Sequence, residues 1–167
     1  MAIYHLHVRP VRRSKGQSTV AAAAYRAATK MEDERQGSIH DYRRKRGVVH
    51  REIFGFTGER DVLWNTAEAV ERQHNGCTGK EYELGLPVDL NQDQRRMAAQ
   101  QFAQWLNDRH GVAVDLCIHE DNRANPHAHI LTTTRVVGDD GASLAGKAPL
   151  EWSDKRRSDH GLPARRT

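Results

Sequence analysis

Only two of the 167 residues are cysteine. Cys77 and Cys117 can build no disulfide framework and show no C-x-x-C metal spacing, so a reducing cytoplasm is the default compartment. Long apolar runs are also missing. No stretch approaches the roughly 18 consecutive apolar residues of a membrane span, and the opening MAIYHLHVRP lacks the long apolar centre of a signal peptide. Membrane insertion is therefore not expected. With 37% hydrophobic and 29% charged residues the composition is globular but polar. A chain of this size buries about 68–70% of its unfolded surface, enough for a core without covalent staples.

The net charge of +4 is modest but unevenly spread. Arg43-Arg44-Lys45-Arg46 are consecutive cations, and Lys155-Arg156-Arg157 and Arg165-Arg166 load the end of the chain. Such clusters suit a polyanion, nucleic acid above all. On charge alone a solvated loop and a frayed terminus fit equally well. The 10 histidines are many for this length, and their placement carries more information.

Residues 2–8 alternate Tyr4, Leu6 and Val8 with Ile3, His5 and His7, which predicts a strand. His5 and His7 share a face and receive no role. Ser18 caps an Ala-rich helix running from Thr19 to about Met31. Residues 32–51 form a charged excursion, read as a β-hairpin. Asp61 caps a second helix ending near Asn75-Gly76, and a strand spans 81–86 up to Pro87. The clearest helix spans 91–110, with Met97, Phe102, Trp105 and Leu106 as apolar positions and Gly111 as its stop. Strands follow at 112–119 and 127–134. The seven residues joining them are too few for a parallel crossover, so they pair antiparallel. Turn residues 138–141 lead into a short last strand, and no element is evident from about Gly146 onward. The expectation is an α+β domain, its helices on one face of a largely antiparallel sheet.

The sharpest pattern is His119-x7-His127-x-His129. Side chains alternate along a strand, so His127 and His129 share a face. The connecting loop returns His119, at the end of one strand, to the start of the next. Three imidazoles then converge with open coordination positions, which favours catalysis over structure. A closed structural zinc site would recruit Cys117, on the His119 face, as its fourth ligand. Tyr25 is the one large residue in a run of alanines, so it projects beyond its neighbours where the helix meets a sheet. It reads either as a core aromatic with its hydroxyl at the surface or as a nucleophile. A phenol with pKa near 10 needs activation for the second role. Glu81 and Glu83 share a strand face, where paired carboxylates can orient metal-ligating histidines or handle a proton; alone they also fit a solvated face.

These residues together resemble the MobA/MobL family of plasmid mobilisation relaxases, within the HUH endonuclease superfamily. The resemblance lies in Ala2-Ile-Tyr-His-Leu6, Ser18-x-x-Ala-x-Ala-x-Tyr25-Arg26, Asp33-Glu34-Arg-x-Gly37-x-x-His40-Asp41-Tyr42, Glu81-Tyr-Glu83-Leu-x-Leu-Pro87, Gln101-Phe102-Ala103 and the histidine pattern. It spans residues 2–135 in order. What it implies is a five-stranded antiparallel sheet holding a divalent metal on His119, His127 and His129. Tyr25 is implied as the nucleophile that nicks one strand at a plasmid origin of transfer, leaving a covalent 5′-phosphotyrosyl link that can be rejoined.

Glu81 and Glu83 become supporting or proton-handling residues, and Arg26, Tyr42, Arg43, Arg44, Lys45 and Arg46 become DNA contacts. The metal expected is Mn²⁺ or Mg²⁺, with Zn²⁺ or Ni²⁺ as alternatives. Single-stranded DNA is the implied partner, with accessory mobilisation proteins and a secretion coupling protein. The implied location is the bacterial cytoplasm, with passage alongside DNA into a recipient cell. Relaxase domains of the family continue into further helices, so residues 1–146 are assigned to the relaxase domain. Residues 147–167 are then a basic tail, the start of a truncated remainder. Rival readings are a rolling-circle replication initiator, a transposase, or a non-catalytic metal-stabilised DNA-binding module.

Overall fold

The computed structural model describes residues 5–165. Its elements in chain order are β1 (Leu6–Arg12), α1 (Thr19–Ala27), β2 (Lys30–Asp33), β3 (Ser38–Asp41), β4 (Val48–Phe54), α2 (Arg60–Val70), β5 (Cys77–Gly85), α3 (Gln92–His110), β6 (Val112–His119), β7 (His127–Val137), β8 (Leu144–Lys147) and α4 (Asp154–Asp159). The main sheet runs β1-β5-β7-β6-β4, antiparallel throughout, and β8 adds to the C-terminal end of β7. β2 and β3 pair as a separate hairpin.

Strand alternation sorts the core into two layers. On one face Val112, Val114, Leu116 and Ile118 of β6, with Ala128 and Ile130 of β7, pack against Ala99, Ala103 and Leu106 of α3. On the other, Ala113 and Leu131 meet Val20, Ala23 and Ala24 of α1 and Leu63, Trp64 and Ala67 of α2. Every residue of β6 is buried, as a central strand covered on both sides requires. Buried Asp115 is held by the Arg60 guanidinium at 2.8 and 2.9 Å and by the Trp64 indole N–H at 2.9 Å.

The α+β class and the antiparallel sheet are as expected. The helices, however, divide: α1 and α2 lie on the face carrying the histidines, and α3 covers the opposite one. The amphipathic pattern of α3 shows that it has an apolar side but not which face of the sheet it meets.

Several boundaries also differ: β5 starts at Cys77 rather than 81, β7 runs on to Val137, and the end of the 32–51 excursion joins the main sheet as β4. The strand expected over 2–8 begins among residues outside those described, and β1 continues through Pro10 to Arg12. Proline is tolerated there because β1 is an edge strand. Helix α1 stops at Ala27, not Met31, because Ala28 takes a left-handed conformation (φ 52°) and its N–H caps the Ala24 carbonyl. Met31 instead packs into the core from the hairpin. In α2, Glu59 rather than Asp61 occupies the cap position, and the helix ends at Val70, not near Asn75-Gly76. The Arg13 guanidinium terminates it by donating to the Glu68 carbonyl and, at 2.8 Å, to the Glu71 carbonyl. Finally, the stretch expected to be featureless from Gly146 onward contains the end of β8, a short 3₁₀ turn (Pro149–Glu151) and α4. The Trp152 indole donates to the Lys147 carbonyl there, and Arg157 donates to that of Pro149. The division at residue 146 thus falls inside β8.

Candidate active site

The β6–β7 hairpin sets the histidines by register. His119 stands directly opposite His127, and Cys117 opposite His129, so all four side chains share the α1 face. The imidazole centroids are 4.7, 4.9 and 5.3 Å apart, and one ring nitrogen from each lies within 4.8 Å of the other two.

One nitrogen of each ring donates to an oxygen of the protein. His127 Nδ1–H donates to the Asn125 carbonyl at 2.9 Å, and His129 Nδ1–H donates to Glu81 Oε1 at 2.7 Å. His119 Nε2–H donates to the Arg26 carbonyl at 2.7 Å. Carbonyl and carboxylate oxygens can only accept, so these contacts fix the tautomers and leave three lone pairs: Nε2 of His127 and His129, and Nδ1 of His119. Burial also disfavours the charged forms of His119 and His129. It pushes His119 down to about 4, aided by the nearby His129 and Lys45 and opposed by the Arg26 carbonyl, and it lowers His129 against the pull of Glu81. A neutral imidazole is the form that ligates a metal. This donor set therefore fits a divalent cation.

Cys117 takes no part. It shares the face, but it is buried, its thiol is pushed up by that burial, and its sulfur lies toward Asp115. The ligand atoms that converge are those of His119, His127 and His129 alone, so the sulfur does not complete a tetrahedral zinc site.

The two glutamates separate cleanly. Glu83 is opposite His129 in register, yet its carboxylate turns to Arg9 at 2.7 Å. Glu81, on the diagonal, accepts from His129 and from Arg26 Nε and Nη2 at 2.5 and 3.0 Å. Burial opposes its ionisation, but the donors from His129 and Arg26 hold it down at about 2. Arg26 therefore reaches two members of the triad, His119 through its carbonyl and His129 through Glu81. Its guanidinium is engaged inside the site rather than displayed as a free DNA contact.

Tyr25, one residue earlier, points out of the core with 42% exposure. Its ring meets Tyr42 edge to face at 5.1 Å, and the Lys45 ammonium lies 4.8 Å from the ring centroid. Lys45 Nζ is also 3.3 Å from His119 Nδ1, so the lysine links the phenol side of the site to the triad. Arg43 pairs with Asp41 at 2.6 Å, whereas Arg44 and Arg46 are exposed. A groove of about 440 Å³, lined by Arg9, Lys15, Ser18, Arg26, His40 and Glu81, opens beside the start of α1.

Sequence reasoning placed Tyr25, Glu81 and the histidines in one neighbourhood. It missed the separation of Lys45 from the surface cations, the Asn125 carbonyl that orients His127, and Arg9 as the partner of Glu83. The i, i+2 spacing of the glutamates could not tell which one turns inward.

Known proteins resemble this chain over most of its length. The model of the MobA/MobL family matches residues 17–162. Mobilization protein MobL of Acidithiobacillus ferridurans is 37% identical over 179 residues, covering 90% of this chain and 47% of its own length. Conjugal transfer protein TraA of Agrobacterium fabrum is 32% identical over 84% of this chain, which spans 14% of that protein. This chain thus spans half or less of the length of these relatives. Among solved structures, a chain from work on the molecular basis of vancomycin resistance transfer in Staphylococcus aureus superposes with a TM-score of 0.79. It is 30% identical, over 87% of this chain and 76% of that one. The MobM relaxase domain, crystallised with Mn and plasmid oriT DNA, shares the fold at a TM-score of 0.50 and 13% identity, over 99% of this chain and 91% of that one. With the family model and the MobL relative both spanning most of its residues, the chain belongs to the MobA/MobL family.

Proposed function

We propose that this chain is the strand-nicking part of a mobilisation relaxase, which cuts single-stranded DNA at an origin of transfer through Tyr25. The observation that carries the reading is the approach of an exposed phenol to three tautomer-fixed imidazoles through one intervening ammonium. A mobilisation relative of 37% identity and a solved relaxase domain of the same fold that holds Mn and oriT DNA support the substrate class.

In the reaction, Tyr25 Oη forms a bond to the scissile phosphorus as the bond to the 3′-oxygen breaks. The phenol proton is lost and the leaving 3′-oxygen gains one. A phosphotyrosyl ester replaces a phosphodiester, so little free energy is lost and the strand can be rejoined. A divalent ion on His119, His127 and His129, Mn²⁺ or Mg²⁺, would supply charge neutralisation and orientation of the phosphate. Arg26 and Glu81 keep His119 and His129 in the ligating tautomer. Tyr42 restrains the Tyr25 ring. The exposed Arg44 and Arg46 add phosphate contacts, and the groove beside α1 offers a basic path for the strand. Accessory mobilisation proteins, a coupling protein and a cytoplasmic location belong to the same reading. Among the described residues no helix is long and apolar enough to cross a membrane.

The test is direct. Labelled single-stranded origin DNA is incubated with the protein and Mn²⁺, and a protein–DNA adduct is sought on a denaturing gel. Tyr25→Phe abolishes the adduct while sparing DNA binding; an adduct that survives this substitution removes Tyr25 from the scheme.

A further inference from the structure

Lys45 sits in a run of four cations, but the fold treats it differently from its neighbours. Its backbone N–H donates to the Tyr42 carbonyl at 2.9 Å, closing a turn. Two residues on, the Gly47 carbonyl accepts from Glu120 N–H at 2.8 Å. Gly47 has φ 91°, and a Cβ there would lie 2.4 Å from Asp121 Cβ, so the segment is pressed against the β6–β7 loop. Anchored at both ends, the Lys45 side chain turns inward and is half-buried while Arg43, Arg44 and Arg46 stay outside. Burial and the neighbouring Arg26 both weaken its hold on its proton, and its nearest polar partner is the lone pair of His119 Nδ1.

That lone pair is already claimed by the reading above. Nε2 of His119 donates to the Arg26 carbonyl, so Nδ1 is the one nitrogen this ring can offer a cation. A single lone pair cannot accept an ammonium hydrogen and coordinate a metal at once. Displaced from it, the ammonium remains on a short tether between the Tyr25 ring and the triad. A phosphate oxygen would be the strongest acceptor within its reach there.

We propose that Lys45 is a catalytic residue whose ammonium competes with the divalent cation at His119 Nδ1 and transfers to a non-bridging oxygen of the scissile phosphate. The proposal rests on the metal-and-tyrosine reading above. It makes two demands of opposite sign. Removing the ammonium tightens metal binding to the DNA-free protein, because it frees the lone pair and removes a like charge. The same change slows strand cleavage, because the transition state loses a cation beside the phosphorus. A lysine that merely propped the loop would weaken both processes or neither.

The experiment compares the unaltered chain with K45M and K45Q. Mn²⁺ is titrated calorimetrically without DNA, and single-turnover cleavage of a single-stranded oligonucleotide is followed at saturating Mn²⁺. Both variants are expected to bind Mn²⁺ on the order of tenfold more tightly, the equivalent of one charge-assisted hydrogen bond, and to cleave about 100-fold more slowly. Thermal melts in chelator identify a variant that misfolds, and the other then decides. Mn²⁺ affinity that is unchanged or weaker in the folded variants overturns the proposal, as does cleavage at the unaltered rate. If the unaltered chain and both variants all fail to bind Mn²⁺, the metal reading itself falls and takes this proposal with it.

Discussion

Arg26 and Glu81 meet through two parallel hydrogen bonds, Nε to Oε1 at 2.5 Å and Nη2 to Oε2 at 3.0 Å. This fork ties the residue after Tyr25 to the carboxylate that orients His129, and the Arg26 carbonyl orients His119. Helix α1 and the central strands are thereby fixed to one another at the point where Tyr25 and the triad approach. Planar, two-pronged pairing of this kind specifies position as well as energy, which a lysine in the same place could not do.

The two glutamates should behave differently on substitution. Glu81→Gln removes the charged acceptor of His129 and the partner of Arg26, so Mn²⁺ affinity should fall about 10- to 100-fold. Glu83→Gln breaks only a half-exposed pair with Arg9 and should leave affinity within about threefold. Calorimetric Mn²⁺ titration distinguishes them, and equal losses in both variants would contradict the assignment.

The arginines divide by where their guanidinium groups are spent. Arg44→Ala and Arg46→Ala should each flatten the salt dependence of oligonucleotide binding by about 0.7 in the log–log slope, the loss of one single-strand phosphate contact. Arg26→Ala should leave that slope unchanged while lowering Mn²⁺ affinity and nicking. Fluorescence anisotropy across a salt series provides the slopes, and a flattened slope for Arg26→Ala would return that residue to the DNA surface.

Much of this was legible because it depends on period and local chemistry. Alternation put His127 and His129 on one face, a seven-residue connection forced the antiparallel hairpin, and the alanine run set Tyr25 apart. Ser18 was readable as a cap because its oxygen does local work, accepting from Val20 and Ala21 N–H. The unread part depends on tertiary partners. Ala28 ends α1 in a conformation for which alanine has no preference, and Arg13 ends α2 from more than fifty residues away. Which face α3 covers, and which of four consecutive cations turns inward, are likewise decided by what packs alongside.

Acid should destabilise the fold in chelator before ordinary carboxylate titration begins. The folded-state value of His119 is pushed below its usual 6.5 to about 4, mainly by burial. Between those values the unfolded chain takes up a proton that the folded chain refuses, so stability falls as pH drops through this window. Glu81, held at about 2 against a usual 4.5, continues the loss from pH 4.5 downward by the same reasoning. Urea denaturation at pH 7 and pH 5 should show a deficit of about 1–2 kcal/mol at the lower pH. His119→Gln should remove most of that deficit, and an unaltered pH dependence in this variant would assign the loss to other groups.

Ser18 and Asp33 join the start of α1 to the β2–β3 hairpin. The Ser18 oxygen accepts from the N–H groups of Val20 and Ala21, while its hydroxyl donates to Asp33 Oδ2. Asp33 is fully buried, and its other oxygen accepts from Gln36 N–H at 2.9 Å. Ser18→Ala therefore removes a helix cap, worth about 1 kcal/mol, and leaves a buried carboxylate oxygen short of a donor, worth about 1–3 kcal/mol more. The expected loss of about 2–4 kcal/mol exceeds that of an ordinary cap. Asp33→Ala should cost a comparable amount. Because each substitution breaks the same hydrogen bond, the double variant should fall short of the sum by about 1–2 kcal/mol. Strict additivity in chemical denaturation would mean that the hairpin and α1 are held together by their apolar contacts, with Met31 against Val20 and Ala24, and not by this hydrogen bond.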